Sequence, residues 1–79
     1  MTQHTLRISA NDQPTVLERL LQVTRYRGFT VTGMTMFPSE NSEKLDIELT
    51  VNSEQSIEHL HHQIHKLFDV EHVHVETKS

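Results

Sequence analysis

The chain predicts an α+β fold in the order β-α-β-β-α-β, and three observations carry that prediction. Residues 29–36 and 45–51 are alternating stretches joined by the polar turn SENSEK, which reads as a hairpin. Residues 4–9 and 70–77 alternate in the same way toward either end. One apolar stripe at helical spacing separates each outer strand from the hairpin. Each of these six elements has one apolar side. A four-stranded antiparallel sheet with both helices on one face satisfies all of them. Right-handed crossovers put the helices on the same side, which is the ferredoxin-like split βαβ sandwich.

In the first strand Leu6 and Ile8 alternate with Thr5, Arg7 and Ser9, so the even positions face inward. Ala10, Asn11, Asp12, Gln13 and Pro14 form a polar turn. Pro14 suits the first helical position and Asn11 or Asp12 the N-cap. Val16, Leu17, Leu20, Leu21 and Val23 make the first helical stripe, which ends at Gly28, a residue free to adopt the left-handed conformation. Phe29, Val31, Gly33 and Thr35 then alternate with Thr30, Thr32, Met34 and Met36. Across the turn, Leu45, Ile47, Leu49 and Val51 alternate with Asp46, Glu48 and Thr50. Ser53 is placed to cap the second helix, with Ser56 three residues on as a weaker echo. Ile57, Leu60, Ile64, Leu67 and Phe68 form that helix's stripe. In the last strand Val73 and Val75 point inward and His72, His74 and Glu76 outward.

The 79 residues make one domain, ordered over about residues 4–77, and only 34% of them are hydrophobic. A core this small calls for a partner subunit. The chain has no cysteine, which removes disulfides, thiolate metal sites and cysteine catalysis together. No apolar run approaches the roughly 20 residues that span a bilayer, and MTQHTLRIS does not read as a signal peptide, so no membrane role and a cytoplasmic location are expected. Seven Lys and Arg against eleven Asp and Glu give a formal charge of −4, the wrong sign for a chain that must neutralise phosphates. Nucleic acid is excluded on a second ground. The open-face positions of the central strands hold Arg7, Asp46, Glu48 and Thr50, none of which stacks on a base.

Chemistry finds little purchase, and no catalytic residue is assigned. Asp46 and Glu48 share a strand face two residues apart, as an acid and base pair would. Arg7, Lys44 or the histidines lie opposite, however, so a cross-strand charge lattice is the better reading. The turn SANDQPT lacks the glycine of an oxyanion cradle. In HLHHQIH, His61 and His65 have the spacing that lets two imidazoles share a zinc. The residue after His61 is His62 rather than a catalytic glutamate, and His59 and His62 point away from the apolar arc. His72 and His74 share the outer face of the last strand, and a solvated, histidine-rich surface with no assigned metal is the reading. The strand phase puts Met34 and Met36 opposite Phe29 and Val31, exposed in an isolated chain. Methionine adapts to irregular partner surfaces, so these two are the expected subunit contact.

LERLLQVTRYRGFTVTGMTM, LDIELTV and LHHQIHKLFDVEHV, over residues 4–75, resemble the small regulatory subunits of acetolactate synthase (acetohydroxyacid synthase), the short single-ACT-domain kind of isozyme II. The most specific element is Arg27-Gly28-Phe29 leading into a strand with methionines. The resemblance implies an ACT domain that pairs side by side with a second copy. It further implies a large catalytic subunit carrying thiamine diphosphate, magnesium and FAD, with no cofactor on this chain. The small subunit then acts without catalysing, as an activator in isoleucine, leucine and valine synthesis. Valine-sensitive relatives bind their amino-acid effector at the domain interface, between the first strand-to-helix loop and the start of the second strand. By that resemblance the effector positions are Asn11, Asp12, Pro14, Thr15 and Thr30. Thr15 stands where those relatives have glycine and Thr30 where they have asparagine. A branched side chain then crowds the helix N-terminus, and one amide is lost. Weak or absent valine feedback is the expectation. The alternative is a free-standing ACT-type amino-acid sensor that controls another enzyme; the short length argues against a sensor fused to its effector.

Overall fold

The computed structural model describes residues 2–13, 15–40, 43–67 and 69–78. Its elements run β1 (Thr2–Asn11), α1 (Val16–Tyr26), β2 (Thr30–Pro38), β3 (Lys44–Ser53), α2 (Ile57–His65) and β4 (Val70–Lys78). The four strands form one sheet in the order β2-β3-β1-β4, every neighbour antiparallel. Both helices cover one side. Val16 and Leu20 of α1 and Leu60 and Ile64 of α2 join Leu6, Ile8, Ala10, Ile47, Leu49 and Val51 in a single cluster with Phe29 and Val70. Burial of each such leucine contributes about 1.5–3 kcal/mol.

β1 runs to Asn11 rather than stopping at Ser9, because the Asn11 N–H donates to Asp69 O (2.7 Å) and the Asp12 N–H to Glu43 O (3.0 Å). The turn's leading residues are thus spent on strand pairing. The N-cap of α1 is therefore Thr15, not Asn11 or Asp12, and its side chain makes no capping bond. The expectation for Pro14 falls outside the described residues. At the second helix Ser56, not Ser53, is the cap: its hydroxyl accepts from the Glu58 N–H at 3.3 Å. Ser53 is buried at the end of β3, and its hydroxyl accepts from the Gln55 N–H instead (2.9 Å). The residue nearer the first apolar helical position wins, since only its hydroxyl reaches the first-turn donors.

The stop of α1 is a Schellman closure. The Phe29 N–H donates to Thr24 O and the Gly28 N–H to Arg25 O, with Gly28 at φ +82°. Thr24, which lies off the expected stripe, is buried because its hydroxyl bonds back to Leu20 O at 2.7 Å.

The larger departure is in β2. Its register with β3 moves from Val31↔Val51 to Gly33↔Thr50, so Thr32 is an extra residue, a β-bulge. The alternation read from the sequence reverses there. Met34 pairs with Leu49 and Met36 with Ile47, so both methionines lie on the helical side, the side of Phe29 and Val31, not opposite it. They are nevertheless exposed, at 41% and 44%, because β2 is an edge strand that the helices do not cover.

Lys44 ties three strand ends together. Its ammonium donates to Asn11 Oδ1 (2.6 Å) and to the Glu71 carboxylate. That hydrogen bond and charge hold the Glu71 carboxyl below its ordinary value of 4.5. A carboxyl lowered on folding adds stability above its ordinary pKa, and that stability disappears as pH falls through the lowered one.

Two outcomes follow from this local chemistry. Gly28→Ala forces an L side chain into the left-handed region and is expected to cost about 1–2 kcal/mol in denaturant unfolding, with Gly28→Asn milder. Glu71→Gln is expected to lower the denaturation midpoint at pH 7. It should also flatten the loss of stability on acidification below the ordinary glutamate value of 4.5, compared with the wild-type chain.

Candidate functional site

Asn11 ends β1 with its side chain half-buried. The Lys44 ammonium can only donate, so Asn11 presents its amide oxygen to it. Asp12 and Thr15 are exposed beside it. Thr15 stands at the start of α1, and beyond it the Arg19 N–H already closes onto Thr15 O at 3.1 Å. These residues lie at the N-terminus of a helix, an end that favours an anion, although the Val16 N–H there already donates to Gln13 O at 3.1 Å.

Thr30 does not join them within one chain. It pairs with Asn52, which pairs with Gln3, whereas Asn11 pairs with Lys44 at the other end of the same ladder. Eight residues of strand, about 26 Å at 3.3 Å each, lie between the two ends. The positions expected from sequence to meet an effector thus divide into an Asn11–Asp12–Thr15 group at one end and Thr30 at the other.

Between those ends, β2 presents an edge. Nine residues from Thr30 to Pro38 carry no charge, while the opposite edge strand β4 carries Glu71, His72, His74, Glu76 and Lys78. Met34 and Met36 lie along β2 on the helical side, and Phe37, 48% exposed, lies on the open side facing Asp46. Phe37 was not singled out from sequence, because its face depends on the bulge at Thr32. Leu21, Arg25, Phe29 and Val31 line a hollow of about 590 Å³ where α1 meets the start of β2.

The histidines divide by face. His61 and His65 stand one turn apart with ring centroids separated by 6.3 Å, and with His62 and His72 they line one hollow of about 410 Å³. The fold thus brings β4 beside the α2 histidines, a neighbour that sequence spacing did not supply. Among the described residues no group of three His, Asp or Glu side chains could hold a metal ion. His4, unremarked in the sequence, is 95% buried on the core face. Its Nδ1 lies 3.0 Å from the Thr77 hydroxyl, and its Nε2 is without a partner among the described residues. Asp46 and Glu48 sit side by side on the open face, as expected, although Arg7 pairs with Glu76 (3.7 Å) and not with the facing Glu48.

Comparison with known proteins agrees with this architecture. The ACT-domain family profile matches residues 12–73. The acetolactate synthase isozyme 2 small subunit of Escherichia coli K12 is 45% identical over 73 residues, covering 92% of this chain and 84% of that one. The isozyme 1 small subunit of the same organism is 34% identical over 65 residues, covering 82% and 68%. Among solved structures, the acetolactate synthase small subunit of Thermotoga maritima superposes with a TM-score of 0.83 at 22% identity, over 95% of this chain and 47% of that one. The ACT domain of a GTP pyrophosphokinase from Chlorobium tepidum gives 0.79 at 11% identity, over 96% and 100%. The profile match over most of the chain and the extended identity to these subunits make this chain a member of the acetolactate synthase small-subunit family, built as an ACT domain.

Proposed function

We propose that this chain is the non-catalytic, activating subunit that a large acetolactate synthase subunit requires, serving branched-chain amino-acid synthesis in the cytoplasm. The observation that carries the mechanism is the uncharged edge of β2. An edge strand that faces water is normally blunted by charge, as β4 is, so an uncharged one is built to be covered. A second copy related by a two-fold axis covers it by antiparallel β2–β2 pairing, with Met34 and Met36 as the helical-side contact. That pairing brings the partner subunit's Thr30 to the end where Asn11, Asp12 and Thr15 stand, so the divided effector site becomes whole only in the pair.

The effector pocket so formed is poorly equipped for valine. Thr15 places a branched side chain at the start of α1, Thr30 offers a hydroxyl in place of an amide, and the Asn11 oxygen is already engaged by Lys44. Activation is then a population shift: the pair binds the competent arrangement of the catalytic subunit better than the incompetent one. Thiamine diphosphate, magnesium and FAD belong to that catalytic partner, and no residue of this chain need touch substrate.

Two measurements test this reading. Acetolactate formation from pyruvate by the large subunit of the same organism is expected to rise several-fold on adding this chain and to stay raised as valine is titrated in. No effect on rate would instead favour a free-standing amino-acid sensor. Met34→Ser with Met36→Ser is expected to weaken self-association by about tenfold or more in light scattering or sedimentation, and unchanged association would remove the β2 edge from the interface.

A further inference from the structure

The open face of the sheet holds two carboxylates that nothing in the described chain neutralises. Residues of that face pair in rows across β4, β1, β3 and β2: His74, Arg7, Glu48 and Thr35 in one, His72, Ser9, Asp46 and Phe37 in the next. The lasting cations nearby are already engaged, Arg7 by Glu76 at 3.7 Å and Lys44 by Asn11 and Glu71. Asp46 and Glu48 are half-buried on the central strand β3, and their carboxylates make no hydrogen bond or ion pair among the described residues. Two residues of strand put them about 6.7 Å apart, where like charges oppose each other. Beside them Phe37 leaves about half its surface in water. Arg7, Asp46, Glu48, Phe37, His72 and His74 line one hollow of about 320 Å³.

We propose that this face is the docking surface for the catalytic subunit. A basic side chain of that subunit enters between Asp46 and Glu48, and an apolar neighbour covers Phe37. The proposal rests on the regulatory reading above and adds the surface on which it operates. A cation between two half-buried carboxylates forms charge-assisted hydrogen bonds to both and removes their mutual repulsion. The occupant must therefore carry Arg or Lys that is not already paired. A second copy is a poor fit, since its own Arg7 and Lys44 are engaged in the same way and its uncharged edge is β2. Nucleic acid is opposed by the same carboxylates. A free amino acid satisfies the charge but leaves Phe37 uncovered, whereas a protein surface covers both. Side-by-side pairing through β2 also leaves both open faces on one side of an extended sheet, so a two-fold catalytic subunit meets two equivalent clamps.

The test is a titration of the purified large subunit with this chain, read by calorimetry and by half-maximal activation. It compares wild type with Asp46→Lys, Glu48→Lys, Phe37→Ser and, on the helical side as control, His59→Ala. Each charge reversal is expected to raise the half-maximal concentration tenfold or more, and Phe37→Ser several-fold. The wild-type affinity should weaken with added salt. Asp46→Asn and Glu48→Gln keep the strand intact and are expected to lose affinity to a smaller degree, which keeps the test open if a reversal unfolds. Wild-type activation with every face variant equally effective overturns the assignment. Variants that activate normally but lose self-association assign the face to a second copy and overturn it too. A wild-type chain that neither binds nor activates fails the regulatory reading itself.

Discussion

Leu6 faces Leu49 and Ile8 faces Ile47 across the central β1–β3 ladder, and the remaining elements are arranged to cover these four side chains. With a third of the residues hydrophobic, the chain has material for one core on one side of one sheet. That constraint sends both helices to the same face, where Val16, Leu20, Leu60 and Ile64 close over the ladder. It leaves the other face to polar and charged residues. It also leaves β2 and β4 as edges, because the described residues hold no further strand to pair with them. Regulation by association follows from such a molecule more readily than catalysis does. A small core, two edges and a wet face offer surfaces for it.

The two edges are treated differently, and the difference is chemical. β4 carries alternating charge and imidazole, which keeps a flat edge from pairing indiscriminately. β2 carries threonines, methionines, a glycine and a phenylalanine, and the bulge at Thr32 turns its two methionines toward the helices while sending Phe37 to the open side. One inserted residue therefore gives the same strand two apolar contacts on opposite faces. The helical-side pair suits a copy of the same chain, and the open-side phenylalanine stands with unpaired carboxylates that suit a different one.

Electrostatics tighten one end of the molecule and leave the middle unbalanced. Lys44 gathers Asn11 and Glu71, so the ends of β1, β3 and β4 are held at the loop that leads into α1. An asparagine that would otherwise be free to turn is thereby given a fixed amide orientation. The same engagement withdraws Lys44 from its strand neighbour Asp46, just as Glu76 withdraws Arg7 from Glu48. Competition among nearby partners, not the count of charges, decides which carboxylates are left to meet another molecule.

The element order, the inward positions of β1, β3 and β4, the helix stop at Gly28 and the family resemblance were all legible in the sequence. Each depends on local periodicity or on one residue's backbone freedom. The cap of α1 lies three or four residues beyond the expected positions, because backbone groups of Asp69 and Glu43 claimed that turn, and the cap of α2 lies three beyond, at Ser56. The burial of Thr24 and His4 likewise depends on bonds to Leu20 and Thr77 that composition does not announce. The face of Met34, Met36 and Phe37 was decided by tertiary structure alone, since a bulge is a mismatch between two strands and leaves no mark in the periodicity of either. So was the separation of Thr30 from Asn11. Proximity between residues nineteen positions apart is set by which ends of the ladder they reach, and this fold sends them to opposite ends.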